Sequence, residues 1–421
     1  MSRPDDVDGA PAGSDAPTTV TGRLALYQRA GGALTPLVTT IVAFLVAGLV
    51  VLVTTGKNPL PVYRGILDGT GLPWLVHWVV DVRTIGGTRE IYRTESDAVE
   101  VSAIYLQQTL ILSATLVLTA LAVAFAFRAG LFNIGGQGQY LVGLIVALTI
   151  GTELGGLPSG VHVPLALAAA ALAGAVWAGI AGAMRATVGA HEVVTTIMLN
   201  WIAYWVGSYL FSIGGPLQSD TQRSVPISND VRESAQLLVV WGDVQGLHAG
   251  VVLALAALVA FWLVIDRTTL GFGVRAVGFN PEAARYGGIS VGRSYFLALA
   301  ISGVFAGLAG AIDVLGWQHR YGQLDIQASD IGFAGIAVAL LGRNTAIGIF
   351  FSSLLFGALL TGTSTRNLSP EVFDPELAGN LTLIIQGLIV LFVGAELLVL
   401  SVWRAGRRLP LRRRRPKAVG A

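Results

Sequence analysis

The chain has 421 residues, 53% of them hydrophobic and only 12% charged, with 53 glycines, no cysteine and a formal net charge of +2. That charged fraction is about half of what a soluble domain carries. The lack of cysteine excludes a disulfide framework, a thiolate metal site and a thiol nucleophile, and basic residues that do not interleave with aromatics on a soluble face exclude a nucleic-acid surface.

Residues 1–33 are polar and rich in Asp, Pro, Gly and Ser, a composition that predicts disorder at least through Val20. The first apolar run starts too late and is too long for a cleavable signal peptide. Arg23 and Arg29 precede it and favour a cytoplasmic N-terminus. A membrane-spanning helix needs about 20 apolar residues to cross ~30 Å of hydrocarbon. Runs of that kind are predicted at 34–55, 105–127, 131–151, 163–183, 192–212, 248–266, 294–315, 346–364 and 381–402. The runs are continuously apolar rather than alternating, which argues against a barrel. A further run at 329–342 is short for a span and is read as tilted, broken or re-entrant.

Between these runs lie segments too polar to cross. Residues 57–103 contain Pro59, Pro61, Trp74, Trp78 and seven charges from Arg83 to Glu100, and read as an extracellular loop with 72–82 at the interface. Residues 213–247 read as a second extracellular loop, and 317–328 as outside again. The tail at 403–421 carries Arg404, Arg407, Arg408, Arg412–Arg415 and Lys417, which mark a cytoplasmic end and attract anionic lipid. The expectation is an all-α polytopic membrane protein with a transmembrane domain over 34–402. It has about ten transmembrane helices, with the short run counted as a crossing and both termini cytoplasmic. Arg128, Arg185, the 267–293 loop, Arg343 and the tail then share one side.

Four stretches carry possible chemistry. Leu131–Gln139 is rich in amides and glycines, and Asn133, Gln137 and Gln139 offer uncharged donors and acceptors suited to a neutral polar substrate. Helix–helix glue is the alternative use of the same groups. This stretch, Asn133 to Gly138, is echoed by Ser329–Gly335 in the second half, and paired Gly-interrupted segments point to a midplane site. In His191–Asn200, the residues Glu192, Thr196 and Asn200 fall on one helix face, with Thr195 beside it. They form either a polar stripe along a pathway or a capped helix start with interhelical bonds. Arg185, His191 or backbone amides are the expected partners of Glu192. Asp313 lies inside a span and is either buried and functional or wet near the outer end. Phe132, Trp201, Tyr204 and Trp205 could stack on a flat base or anchor the helix at the interface.

The loop at 267–293 holds a short helix. Asn280 is its cap, Pro281 its first residue, Glu282 sits at the positive end of its dipole, and Gly287 and Gly288 stop it after about two turns. A stiff two-turn helix on the cytoplasmic face is suited to docking on another protein, although a plain interfacial linker has the same caps. No phosphate loop, no His-Glu-x-x-His and no clustered histidines are present, so no catalytic or metal-binding residue and no cofactor are assigned to this chain.

Three motifs then point to a family. Glu282-Ala283-Ala284 followed by Gly288 resembles the EAA…G coupling loop of ABC-importer permeases. The wider stretch from Gly278 to Ile289 resembles the nucleoside branch, related to the ribose and branched-chain amino acid permeases. Asn133-Ile134-Gly135 with Gly138-Gln139 resembles its NIG-x-x-GQ motif, and His191-Glu192-Val193 with Thr196-Ile197-Met198-Leu199-Asn200 its HEV-x-x-TIMLN motif. The leucine-proline that follows the loop in other branches is absent. The resemblance implies a plasma-membrane permease subunit that forms the pathway for nucleosides. Asn280, Pro281, Glu282, Ala283, Ala284, Arg285 and Gly288 would dock on a separate ATPase, which binds ATP and magnesium. It also implies a second, related permease subunit and an extracellular substrate-binding lipoprotein. Ribose-type sugars or branched-chain amino acids are the alternative substrates, and an ion-coupled transporter or a membrane enzyme the alternative classes.

Overall fold

The computed structural model describes residues 20–56, 58–76, 95–242, 244–364 and 375–394. The fold is helical, with one small antiparallel hairpin of β1 (Val239–Trp241) and β2 (Leu247–His248). A helix occupies each of the ten apolar runs. In chain order these are α1 (Val20–Thr55), α3 (Glu95–Arg128), α4 (Gly136–Glu153), α5 (Ser159–Val188), α6 (Glu192–Leu210), α7 (Gly250–Arg267), α10 (Val291–Asp313), α12 (Ile331–Leu341), α13 (Ala346–Gly362) and α14 (Pro375–Gly394). Among the described residues, seven stretches are long and apolar enough to cross a membrane. One of them is the broken unit Gln323–Leu341, in which α11 (Gln323–Ala328) precedes α12.

The core forms around α3. Residues 114–126 are apolar on every side apart from Thr115 and Thr119, and a helix without a polar face must be surrounded by others. Every residue from Leu118 to Ala126 is buried, and α7, α10, α12 and α13 pack around it. Small residues let the neighbouring helices approach closely, the device by which spans associate without a hydrophobic driving force. A Cβ on Gly303 of α10 would lie 2.1 Å from the Gly174 carbonyl oxygen of α5, so neither position admits a side chain.

Several boundaries differ from the sequence reading. The N-terminal segment 1–33 is helical from Val20, and residues 1–19 lie outside the described residues, as do 77–94 and the basic tail. The segment 57–103 is more than a loop. It holds α2 (Pro59–Gly69), capped by the Asn58 side chain, which accepts from Leu60 N at 3.0 Å. Helix α2 buries Val62 and Ile66 and packs against α13, and Thr109 of α3 donates to the Thr70 carbonyl at 2.7 Å. Helix α3 begins at Glu95, so the last charged residues of that segment extend the helix.

The 213–247 segment is tied to one end of the bundle. Arg232 Nε donates to the Thr152 carbonyl at 2.8 Å, and the Ser228 and Val231 amides donate to the Tyr321 and His319 carbonyls at 2.8 and 2.7 Å. The loop at 267–293 contains an unforeseen helix, α8 (Thr269–Phe279), ahead of the expected short helix α9 (Pro281–Tyr286).

Candidate functional site

At the centre of the molecule the chain from Leu131 to Gly135 leaves α3 in non-helical form, so α4 starts only at Gly136. The amides seen in the sequence meet here. Asn133 Oδ1 accepts the Gly135 amide at 2.8 Å and the Gln139 side-chain amide at 3.1 Å. Its Nδ2 donates to Gln139 Oε1 at 3.1 Å and to Ser302 Oγ of α10 at 2.7 Å. Ser302 in turn donates to the Ala122 carbonyl of α3 at 2.6 Å. Three helices are joined by these bonds at a point almost closed to solvent.

The first turn of a helix has amide groups without intrahelical partners, and Gly135 at the cap of α4 has no side chain to accept from them. Asn200 of α6 does this instead. Its Oδ1 accepts from Gly138 N at 2.8 Å, and its Nδ2 donates to the Ile134 carbonyl at 2.9 Å. Helix α12 is in the same position, because the Asp330 side chain makes no capping bond. Gln137 of α4 fills that role, accepting from Gly332 N at 2.8 Å and donating to the Ser329 carbonyl at 2.7 Å. The two Gly-interrupted segments that echo each other in the sequence are thus in contact. A Cβ on Gly332 would fall 2.4 Å from the Gln137 Cα.

The face expected on α6 exists: Glu192, Thr196 and Asn200 are all buried. Glu192 lies 3.4 Å from Arg185 Nε and 4.0 Å from His191 Nδ1, as its sequence neighbours suggested. Arg185 also stacks over the Tyr295 ring of α10 at 5.5 Å, which ties α5, α6 and α10 together at one end. Thr195 is half-buried beside this face and donates to the His191 carbonyl at 3.1 Å. Asp313 is buried. It receives the Tyr140 hydroxyl, Trp317 Nε1 at 2.5 Å and Gln318 Nε2 at 3.3 Å, where α10 loosens into a π-helical turn over Val314–Gln318.

The 267–293 segment is built in the opposite way. Asn280 Oδ1 accepts from both Glu282 N and Ala283 N at 3.0 Å, Pro281 is the first residue of α9, and Gly288 takes a φ of +80° just past its end. Ala284 is buried while Glu282, Ala283 and Arg285 are exposed. The aromatic side chains flanking α9, Phe279 and Tyr286, are 91% and 94% exposed. Two aromatic rings are thus left open at the two ends of one short helix.

Helix α8, which the sequence did not disclose, connects this surface to the centre. A Cβ on Gly278 would lie 2.3 Å from the Arg128 carbonyl oxygen and 3.0 Å from Gly130 N. The α8 backbone therefore rests directly on the chain that leads into Asn133. Arg128 also donates to the Asn344 carbonyl at 2.7 Å, where Arg343 and Asn344 both take left-handed φ values after α12. These glycine contacts and the Ser302 hydroxyl were not legible as site residues, since they bear no motif and their partners are remote in sequence.

The family model for the branched-chain amino acid transport system permease component matches residues 105–394. The guanosine ABC transporter permease protein NupP of Bacillus subtilis is 40% identical over 296 residues, covering 69% of this chain and 81% of that protein. The nucleoside ABC transporter permease protein NupB of Lactococcus lactis is 30% identical over 371 residues, 87% of this chain and 92% of the relative. The glucose ABC transporter permease protein TsgB13 of Haloferax volcanii is 36% identical over 297 residues, 68% and 75% of the two chains. No solved structure matches the chain.

Proposed function

The chain belongs to the permease component family of branched-chain amino acid transport systems, and from that premise we propose that it forms the membrane pathway of an ATP-binding-cassette importer for nucleosides. It is a multi-pass protein of the plasma membrane and a transport subunit, not a member of an enzyme family. The observation that carries the substrate is its likeness to permeases named for guanosine and for nucleosides, the second across 87% of the chain. The likeness to a glucose permease supports a sugar as the second reading.

ATP hydrolysis belongs to a separate subunit, which uses ATP with magnesium and docks on α9 through Phe279, Glu282, Arg285 and Tyr286. An extracellular binding lipoprotein delivers the substrate, and a second, related permease chain completes the pathway. Asn133, Gln137, Gln139, Thr196 and Asn200 hold the broken starts of α4 and α12 in place along this path, and Glu192 and Thr195 line its cytoplasmic end. Movement of α8 and α9 reaches the centre by two contacts: Gly278 against Gly130, and Arg128 onto the turn that ends α12. Alternating access follows if the discontinuous helices shift when the docked ATPase closes.

The test is uptake of labelled guanosine, glucose and leucine by cells with and without the chain, its transporter partners being present. Loss of guanosine uptake alone is the expected result. Loss of glucose or leucine uptake with guanosine unaffected would overturn the substrate.

A further inference from the structure

A polar cavity of about 120 Å³ lies between the last turn of α4, the end of α6 and the 213–247 segment. This is the end of the bundle away from α9. Helix α10 starts at Val291, just after α9, and beyond its other end the Tyr321 and His319 carbonyls accept from the Ser228 and Val231 amides of that segment. Thr149, Thr152 and Glu153 of α4 form one wall of the cavity, and Asp220 and Asn229 another. Leu148 and Phe211 supply its apolar lining.

Some polar groups around the cavity are already spent. Gln218 Oε1 accepts from Gly214 N at 2.7 Å, and its Nε2 donates to the Arg223 and Val225 carbonyls. Ser228 Oγ donates to the Asn229 carbonyl and accepts from Tyr321 N. Glu153 and Asp220 are different. Both are exposed, and among the described residues neither carboxylate is in an ion pair. Glu153 receives the Thr152 hydroxyl at 3.4 Å, and Asp220 the Asn229 side-chain amide at 3.5 Å, both long contacts. Asn229 Oδ1 accepts from Ser219 Oγ at 2.9 Å and from Asp220 N at 3.1 Å, so its NH2 is the end with capacity to spare. Two carboxylate acceptors beside an amide donor fit a ligand that both donates and accepts. A hydroxyl does both, whereas a metal cation takes oxygens alone.

The cavity is in line with the amide centre. Helices α4 and α6 lie side by side from Gly138 and Asn200, bonded to each other in the centre, to Leu148 and Phe211 at the cavity. Between the two levels the packing is apolar. A Cβ on Gly207 would lie 2.7 Å from the Ile326 side chain and 3.2 Å from that of Ile145. Ile326 belongs to α11, the short half of the broken unit that continues as α12. Ser208, one turn before Phe211, is buried with its hydroxyl unpaired among the described residues. An apolar layer that includes the broken unit thus separates a polar cavity from a polar centre.

We propose that this cavity is an outer subsite for the vicinal diol of a sugar ring. Glu153 and Asp220 accept from two adjacent hydroxyls, and the Asn229 amide donates to one of them. At about 120 Å³ the cavity is well below the ~300 Å³ of a site for a drug-sized ligand, so it takes one ring while the base of a nucleoside stays at its mouth. The diol is that of the ribose in a nucleoside and that of the ring in a free sugar. The ring is held there until the layer of Ile145 and Ile326 parts. The inference rests on the transport reading above and names the part of the substrate that this chain reads first.

The test compares uptake of guanosine with that of dideoxyguanosine, which lacks both hydroxyls of the diol, by the assembled transporter. It is run for the wild type and for Glu153→Gln combined with Asp220→Asn, two changes that keep side-chain shape at exposed positions. The binding lipoprotein is the same in both, so only the preference read by this chain can vanish. The double variant is expected to lose about tenfold of the preference for guanosine, through a raised guanosine KM with that of the analogue unchanged. An equal preference in both proteins would overturn the subsite and leave nucleoside transport standing. A wild type that moves glucose and no guanosine would overturn the parent reading. A glucose KM raised by the same variant would then still support the diol site, and an unchanged one would overturn it. Uptake that needs added calcium in the wild type and not in the variant would make the two carboxylates a cation site and overturn the diol.

Discussion

The amide-bound centre and the α8–α9 segment use the same residue chemistry to opposite ends. In the centre, Asn133, Gln137, Gln139 and Asn200 spend their donors and acceptors on neighbouring helices, and each is buried. In α9, Asn280 caps its own helix and the side chains around it are left open to solvent. A buried polar network costs a great deal when half-satisfied and rigidifies when complete. A capped, exposed helix stands by itself and keeps its surface for a partner. The difference separates a region whose polar groups hold the fold from one whose surface stays open, the surface proposed above for the ATPase.

The largest effect is expected from breaking the centre. Asn133→Leu removes the acceptor of the Gly135 amide and leaves the Gln139 side chain without its reciprocal partner. At ~1–3 kcal/mol for each buried group left unpaired, the loss is several kcal/mol. Thermal unfolding in detergent should show a large drop in Tm and poor assembly. An unchanged Tm would mean that the amides are not structural.

Changes in α9 should do the reverse. Glu282→Lys leaves insertion and Tm nearly unaltered, and Gly288→Val, which strains a β-branched residue at a φ of +80°, still inserts and lowers Tm far less than Asn133→Leu. They reduce substrate-stimulated ATPase activity and uptake by about 5- to 150-fold, the scale of a lost coupling energy of about 1–3 kcal/mol. Normal transport and an unaltered ATPase rate in both variants would remove α9 from the coupling path.

The smallest effect concerns pH. Burial raises the Asp68 carboxyl of α2 from 3.8 to about 6, against the pull of Arg64. The folded state holds this proton longer than the unfolded chain does. Its contribution to stability is therefore greatest below 3.8 and is lost as pH rises toward and past 6. Asp68→Asn should match the wild type in Tm at the acidic end and exceed it slightly at neutral pH. A constant difference across that range would contradict the assignment.

Local features were the legible ones. Asn280, Pro281 and Gly288 declare a helix within nine residues, and the structure places that helix where they do. Each apolar run could be placed because a span's composition is its own signal. What stayed hidden depends on distance. Asn133 reaches Ser302 across 169 residues and Gln137 reaches Gly332 across 195, and no spacing rule connects them. Asn200 looked like part of a polar stripe because its face was readable, whereas its service as the cap of another helix was not. Helix α8 was missed for a different reason. Its Gly271, Gly273 and Gly278 are poor helix formers, yet Gly278 is what allows the close approach to Arg128 and Gly130. Helix α2 had its signal in plain view, Asn58 before Pro59, but the charges after it made the segment read as loop.

The claim joining these regions is that α8 drives the centre through the contact of Gly278 with Arg128 and Gly130. Gly278→Val places a side chain where a Cβ would already lie 2.3 Å from the Arg128 carbonyl. The most direct measurement is guanosine transport per ATP hydrolysed by the assembled transporter in liposomes, for wild type and this variant. The account predicts continued hydrolysis with transport lost, the ATPase still docked on α9 and the centre no longer following it. Transport per ATP equal to the wild type would show that motion reaches the pathway by another route.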